Sequence, residues 1–493
     1  MLKFDQSPNS YKMEDYKQLL FSKSYINGEW VSGSSKTFEV LNPADGSVIK
    51  KLSDGDGQTI SLAIEAAHTA FKPWSKKSAK ERAVIMQKWF ALMIANRESI
   101  AKIMTMESGK PIHESRGEVD YGASFIQWFA EEGKRLYGDI IPGYTADRRI
   151  MVIKQPIGVV GAITPWNFPL AMITRKVGPA LAAGCTVVVR PSEETPLTAL
   201  AIAHLAEKAG FPKGVFNVVT GMNASAMGKV LCESPLVAKI SFTGSTRVGQ
   251  ILSAQCVSTL KKLSLELGGN APFIVFEDAD IEAAVKGAIA GKFRFSGQTC
   301  VCVNRILVHE NIYEDFTARF VKAVSAFKPG NGLDETVNIG PLINSKAISR
   351  VEAFVEDAVS KGGKVLIGGK KMNEQFFLPT VIGEANQTMN FAKEEIFGPV
   401  APIFKFSTDE EAITLANDTI YGLASYFYTN DLKRSWKISE ALEYGIVGIN
   451  EGLISSEVAP FGGIKHSGSG REGSKYGIED YIEIKYICIG NIE

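Results

Sequence analysis

Gly158-Val159-Val160-Gly161-Ala162-Ile163-Thr164 and Thr186-Val187-Val188-Val189-Arg190 are two apolar, β-leaning runs, and residues 171–183 between them carry a helical pattern. Short apolar runs bounded by Gly and Pro read as strands buried on both faces. The theme continues downstream. Strands are expected at 215–219, 239–242 and 263–267, and helical patterns at 196–209, 225–232 and 248–256 fill the gaps. Parallel strands need a crossover between them, usually a helix, so the reading is a doubly wound, Rossmann-like α/β sheet.

Upstream, turn signals at Asn27-Gly28-Glu29-Trp30 and Asn42-Pro43-Ala44-Asp45-Gly46 make 25–53 an opening hairpin. Helical patterns follow at 61–72, 79–96 and 118–135, the last with Phe125, Trp128 and Phe129 on one face. Beyond Pro272 a second α/β series begins, with strands at 273–276, 305–309, 364–367, 401–406, 424–428 and 445–448. The tail 481–487 alternates strictly, and with 149–155 it suits a small projecting sheet whose edge a second subunit would cover.

A chain of 493 residues exceeds one core. Hydrophobic content of 45% and charged content of 22% are those of a globular protein in water. Lys+Arg and Asp+Glu are equal at 54 each, so no global field recruits nucleic acid or an anionic membrane. The first residues mix both charges and lack an apolar targeting core. The apolar stretch 157–173 contains Pro165, Asn167 and Pro169, which disqualifies it as a membrane span. Six cysteines show neither metal spacing nor a disulfide framework, so no metal is expected and a reducing cytoplasm is the natural home.

Two short motifs carry chemistry. Glu266-Leu267-Gly268-Gly269 sets a carboxylate at a strand end, and Gly297-Gln298-Thr299-Cys300 sets a thiol after a turn. A nucleophile and a base are what thioester chemistry requires. Cys185, Cys232, Cys256 and Cys488 sit in apolar or helical patterns and read as small buried hydrophobes, whereas Cys300 does not. No G-x-G-x-x-G follows any strand; instead Gly244-Ser245-Thr246 turns from strand to helix, where backbone amides suit a pyrophosphate.

With Pro165-Trp166-Asn167-Phe168-Pro169, Phe242-Thr243-Gly244-Ser245 and Glu394-Glu395-Ile396-Phe397-Gly398-Pro399, these motifs form an ordered set. From about Ile26 to the C-terminus the chain resembles the aldehyde dehydrogenase superfamily. The resemblance implies a cofactor domain at 1–134 and 157–267, a catalytic domain at 268–460, and an oligomerisation segment at 135–156 and 461–493. It implies Cys300 as nucleophile, Glu266 as the base that activates water, and the Asn167 amide with the Cys300 N–H as oxyanion donors. Cofactor contacts fall on Thr164, Pro165, Trp166, Lys176, Arg190, Ser192, Glu193, Gly244, Ser245, Leu267, Glu395 and Phe397. Arg190 stands where the family usually has Lys. Glu193 favours NAD, because a carboxylate binds both ribose hydroxyls and repels a 2′-phosphate; NADP is the alternative.

Within the superfamily the chain is most similar to succinate-semialdehyde dehydrogenases. Met172-Ile173-Thr174-Arg175-Lys176, Lys292-Phe293-Arg294, Cys300-Val301-Cys302, Leu453-Ile454-Ser455-Ser456 and Gly470-Arg471-Glu472-Gly473 carry that likeness. Arg175, Arg294 and Ser455 then hold the distal carboxylate of a small aldehyde, as forked guanidinium donors and a hydroxyl do well. Phe295 departs from the Asn common in such relatives, which bears on pocket width. Glutarate semialdehyde or a broader aldehyde is the alternative substrate, since one methylene changes binding by only about 1–3 kcal/mol. A non-enzymatic nucleotide-binding or structural descendant, and a thiol hydrolase, are rival classes that Cys300, Glu266, Asn167 and the cofactor residues disfavour. The expected assembly is a homo-dimer or homo-tetramer. Cys302, two residues beyond the nucleophile, reads equally as packing or as the partner of Cys300 in a redox switch.

Overall fold

The computed structural model describes residues 13–492. The twelve residues before them, read above as free of a targeting core, and Glu493 at the end of the tail lie outside the described residues. The strand–helix series forms the parallel centre of an eight-stranded sheet. Val237–Thr243 lies between Val159–Ile163 and Lys262–Glu266, and Thr186–Arg190 and Phe216–Val218 continue the order on the far side of Val159–Ile163. The expected crossovers are present as Ala171–Ala183, Pro196–Ala209, Ala224–Glu233 and Thr246–Cys256.

The hairpin expected over 25–53 is two hairpins. Ser24–Ile26 and Glu29–Val31 join the edge of the large sheet, antiparallel to Phe216–Val218, while Thr37–Leu41 and Val48–Ser53 pair as a separate sheet. Four helices rather than three come next. The first runs from Gly57 to Ser75 because Asp56 and Thr59 form a reciprocal cap, and Ser78 with Glu81 starts Ala79–Ala95 in the same way. Arg97–Ser108 is the unexpected one, separated from its predecessor only by Asn96, and Ile112–Glu132 begins six residues before its expected start at 118. A helix without an N-terminal side-chain cap gives the sequence little to announce it.

The second series makes a seven-stranded sheet in the order Lys364–Ile367, Thr380–Ala385, Val400–Phe406, Val303–His309, Ala271–Val275, Ala424–Tyr428, Ile446–Ile449. All its pairings are parallel except that of the first two strands. Thr380–Ala385 was not expected, because Pro379 and Gly383 interrupt its apolar run. The small third sheet pairs Ile482–Ile489 with Arg149–Pro156, and Asp139–Pro142, also unexpected, forms its other edge. The eighth strand of the large sheet, Gly468–Ser469, pairs antiparallel with Lys262–Glu266 from the far end of the chain. The last parallel strand of that sheet ends at Glu266 and the second sheet begins at Ala271, so Leu267-Gly268-Gly269-Asn270 is the direct passage from one to the other.

Asn304 clamps that seam. Its Nδ2 donates to the carbonyls of Phe391 and Glu394 (3.0 Å each) and lies 3.2 Å from Asn270 Oδ1; its Oδ1 accepts from the Ile396 N–H at 2.8 Å. Asn304→Ala would leave several of these buried groups unpaired, each costing about 1–3 kcal/mol. Chemical denaturation of Asn304→Ala should therefore show a loss of about 2–4 kcal/mol, and a loss within the error of the wild type would contradict this role for the side chain.

Candidate active site

The thiol is presented by a strained turn. After the helix Ile281–Phe293, Phe295, Ser296 and Gly297 all take positive φ (48°, 53° and 74°). A Cβ on Gly297 would lie 2.2 Å from the Gly398 carbonyl oxygen, so only Gly fits there. Gln298 locks the turn: its Nε2 donates to the carbonyls of Phe295 (3.3 Å) and Pro341 (3.4 Å), and its Oε1 accepts from Ile343 N–H at 3.0 Å. Backbone strain at consecutive non-glycine residues persists only where surroundings enforce it, and it clusters at functional sites. Cys300 emerges half-buried from this turn.

Asn167 reaches the same place from the other sheet. It leaves the strand Val159–Ile163 just before the helix Ala171–Ala183, and its Nδ2 donates to the Gln298 carbonyl at 3.0 Å. Glu266, at the end of Lys262–Glu266, is buried, and its Oε2 has no hydrogen-bond partner. Gly269 permits the contact between the two halves, since a Cβ there would meet the Cys300 carbonyl oxygen at 2.6 Å. The glycines after Glu266 thus serve a backbone–backbone approach at Gly269, while Gly268 lines the cleft.

A cleft of about 570 Å³ joins these pieces, and Asn167, Cys300, Leu267, Gly244 and Ser245 all border it. Pro165, Trp166, Glu395 and Phe397 complete the expected wall. Trp166 and Phe397 meet edge to face at 5.5 Å, and Glu395 accepts from the Gly269 N–H at 3.1 Å. Burial pushes the Glu395 carboxyl up to about 7, the Gly269 amide opposing. Ser245 caps Thr246–Cys256, accepting from Val248 N–H at 3.4 Å, so a helix N-terminus opens on the cleft. A carboxyl, aromatic walls and a helix N-terminus are donors and surfaces that fit a nicotinamide dinucleotide. Lys346 and Arg350, on the helix Ser345–Ser360, also line the cleft; as solvated helical cations they had no distinguishing mark in the sequence.

Other expected cofactor contacts stand elsewhere. Lys176 does not border this cleft. It is fully buried, and its Nζ donates to Glu472 Oε1 at 2.5 Å. A buried ammonium takes the nearest carboxylate, and Lys176 has Glu472 beside it. Thr164 is buried at the end of its strand, with its N–H donating to the Arg190 carbonyl at 3.1 Å. Arg190 donates through Nη2 to Glu193 Oε2 at 2.7 Å and to the Gly221 carbonyl at 3.0 Å. Ser192 accepts from the Glu194 N–H at 3.3 Å. This group lies beyond the cleft described above.

Behind Cys300 is a charged shell. Glu472, quoted above but given no role, pairs with Lys176 and, at 2.7 Å, with Arg175 Nε. Burial alone would raise Glu472, but Lys176 and Arg175 outweigh it and hold its carboxyl below the usual range. Burial pushes Glu266 well above that range, and the negative Glu472 adds to the shift. Burial also pushes the Cys300 thiol up to about 12, with Arg175 pulling against it. Arg175, fully buried with Nη2 unpartnered, and half-buried Arg294 and Ser455 all act on the phenol of Tyr121, a neighbour the sequence did not single out. Cys302 is buried and turned toward Lys292, whose Nζ lies 3.5 Å from its sulfur; both Cys300 and Cys302 are free thiols. Cys488, read as buried, is exposed, because Ile482–Ile489 lies on the surface sheet.

A thiol, an amide and a carboxyl thus gather at one cleft. Residues 30–487 match the pattern of the aldehyde dehydrogenase family, and the chain belongs to it. It is 58% identical over 477 residues to the mitochondrial succinate-semialdehyde dehydrogenase of Oryza sativa subsp. japonica, covering 96% of this chain and 90% of that protein. It is 56% identical over 473 residues to the glutarate-semialdehyde dehydrogenase of Pseudomonas putida, with 96% and 98% covered. The crystal structure of an Escherichia coli NADP-dependent enzyme superposes with a TM-score of 0.96 at 55% identity, over 97% of this chain and all of that one.

The electrostatics set a pH dependence. Because burial and then Glu472 raise Glu266, its charged form is lost well above the ordinary carboxylate range as pH falls. Glu472→Gln removes a negative neighbour and frees Arg175 and Lys176, and both changes lower the Glu266 pKa. The acid limb of the turnover profile should therefore move to lower pH in Glu472→Gln. A limb that stays in place or moves up would show that Glu472 does not tune Glu266.

Proposed function

We propose that the protein oxidises succinic semialdehyde to succinate with a nicotinamide dinucleotide, through a thioester on Cys300. The convergence of Cys300, Asn167 and Glu395 on one cleft, with Glu266 and Arg175 behind it, carries this reading. Cys300 as thiolate attacks the aldehyde carbon, and the Asn167 Nδ2 and Cys300 N–H hold the oxygen that becomes negative. A bound nicotinamide supplies the hydride acceptor. Loss of hydride leaves an acyl group on sulfur; Glu266 then takes a proton from water, whose oxygen attacks the thioester carbon, and the C–S bond breaks to free the acid and return the Cys300 thiolate. Glu395 and Phe397 would hold the nicotinamide end, and Gly244 with Ser245 the pyrophosphate.

Arg175, Arg294 and Ser455 take the distal carboxylate. Glutarate semialdehyde, one methylene longer, is the second reading, and the name of the Pseudomonas putida relative favours keeping it. NAD is the preferred cofactor: Glu193 opposes a 2′-phosphate, although Arg190, paired with it at 2.7 Å, offsets part of that charge. The projecting sheet exposes Ile140, Ile484 and Tyr486 and is the face that a second copy covers. The described residues include no helix long and apolar enough to cross a membrane, and free thiols suit a reducing cytoplasm.

Following NADH or NADPH formation with succinic semialdehyde, glutaric semialdehyde and butanal tests the reading. Succinic semialdehyde with NAD should give the highest kcat/KM, and equal values for butanal would defeat the carboxylate assignment. Arg294→Ala is the cleaner specificity variant, since Arg175 also holds Glu472. It should raise KM for succinic semialdehyde about ten- to a hundredfold, the loss of one charged hydrogen bond, and leave butanal nearly unchanged. Parallel losses on both aldehydes would make Arg294 structural.

A further inference from the structure

Three charged residues four apart, Lys110 just before the helix Ile112–Glu132 and Glu114 and Glu118 in its first two turns, have no part in the chemistry above. Each of them reaches the site. The buried Lys110 Nζ donates to the Asn167 carbonyl at 2.9 Å and pairs with the buried Glu118. The same ammonium sits over the rings of Phe168 (4.1 Å) and Phe295 (4.5 Å). Glu118 Oε1 accepts from the N–H groups of Leu170 (3.0 Å) and Ala171 (3.2 Å), where the helix after Asn167 begins. Glu114 Oε2 accepts from the Phe295 N–H at 2.9 Å, at the first left-handed residue of the Cys300 turn.

One helix end therefore grips both loops: Lys110 and Glu118 hold residues 167–171, and Glu114 holds the turn that presents Cys300. The 3.0 Å bond from Asn167 Nδ2 to the Gln298 carbonyl closes the ring between them. A buried ion pair is seldom retained for stability alone, since apolar replacements of similar volume are often neutral or better. Fixing the position of a dipole is a different service, and an oxyanion donor needs it, because donors act only at about 2.7–3.1 Å from the developing charge. We propose that Lys110 and Glu118, with Glu114, are positioning residues of the oxyanion hole, setting where the Asn167 amide stands relative to Cys300. The inference rests on the roles proposed above for Asn167 and Cys300.

The test exchanges the pair as Lys110→Met/Glu118→Gln, which removes both charges of the pair and keeps an oxygen to accept from Leu170 and Ala171. Aldehyde turnover is compared with the rate at which iodoacetamide alkylates Cys300, a reaction that needs the thiolate but no oxyanion donor. The exchanged pair should lose about ten- to a hundredfold in kcat, with alkylation within about twofold of the wild type. Asn167→Ala should lose turnover similarly, and combining it with the exchanged pair should cost no more than about twofold beyond Asn167→Ala alone. Unchanged kcat in the exchanged pair, or fully multiplicative losses in the combination, would overturn the proposal. Full turnover in Asn167→Ala would instead overturn the oxyanion assignment itself. Glu114→Ala decides the matter should the exchanged pair not fold: turnover should fall while alkylation holds, and equal loss of both would mean that these residues only maintain the fold.

Discussion

The four residues Leu267-Gly268-Gly269-Asn270 constrain everything around them. They alone carry the chain from the last parallel strand of one sheet into a central strand of the other, so the two sheets meet within one short span. At Gly269 the backbone passes so close to the Cys300 carbonyl that no side chain fits. That contact brings the end of a strand bearing Glu266 beside a turn bearing Cys300, which lie far apart in sequence. The Gly244 N–H donates to the Glu266 carbonyl at 3.0 Å, tying the helix-cap turn to the same strand end. In open α/β sheets, ligands bind outside the carboxyl ends of parallel strands, and here two such sheets share one crevice.

Electrostatics then decide how the crevice works. Burial dominates at Cys300 and Glu266 and holds both toward their protonated forms, while Arg175 pulls each of them back. Glu472 absorbs part of that pull by pairing with both Arg175 and Lys176. The positive charge of a nicotinamide held beside the sulfur would favour the thiolate.

Much of this was legible in the sequence. Strands at 186–190, 364–367 and 424–428 have the expected limits because unbroken β-branched or alternating runs leave no competing period. Cys300 stands out as a thiol after a turn and Asn167 as an Asn with little local reason to exist, whereas Glu395 and Phe397 rest on the family resemblance, since alone they read as a charged loop and a core aromatic; all four border the cleft. What escaped notice depended on long-range contact. Lys176 looked like any helical cation until its pairing with Glu472 was seen, 296 residues away in sequence. Lys110, Glu114 and Glu118 have the spacing of an ordinary solvated helix face, and nothing local reports that the face is turned inward. Thr380–Ala385 was hidden by its own Pro379 and Gly383.

The proposed reaction turns on a covalent acyl group on one named sulfur. Glu266→Gln, mixed with cofactor and succinic semialdehyde, quenched in acid and digested, should yield a Cys300 peptide heavier by one succinyl group in its mass spectrum, with no such adduct on Cys302. Accumulated product acid with no acylated Cys300 peptide at any time, or an adduct on another cysteine, would contradict the account.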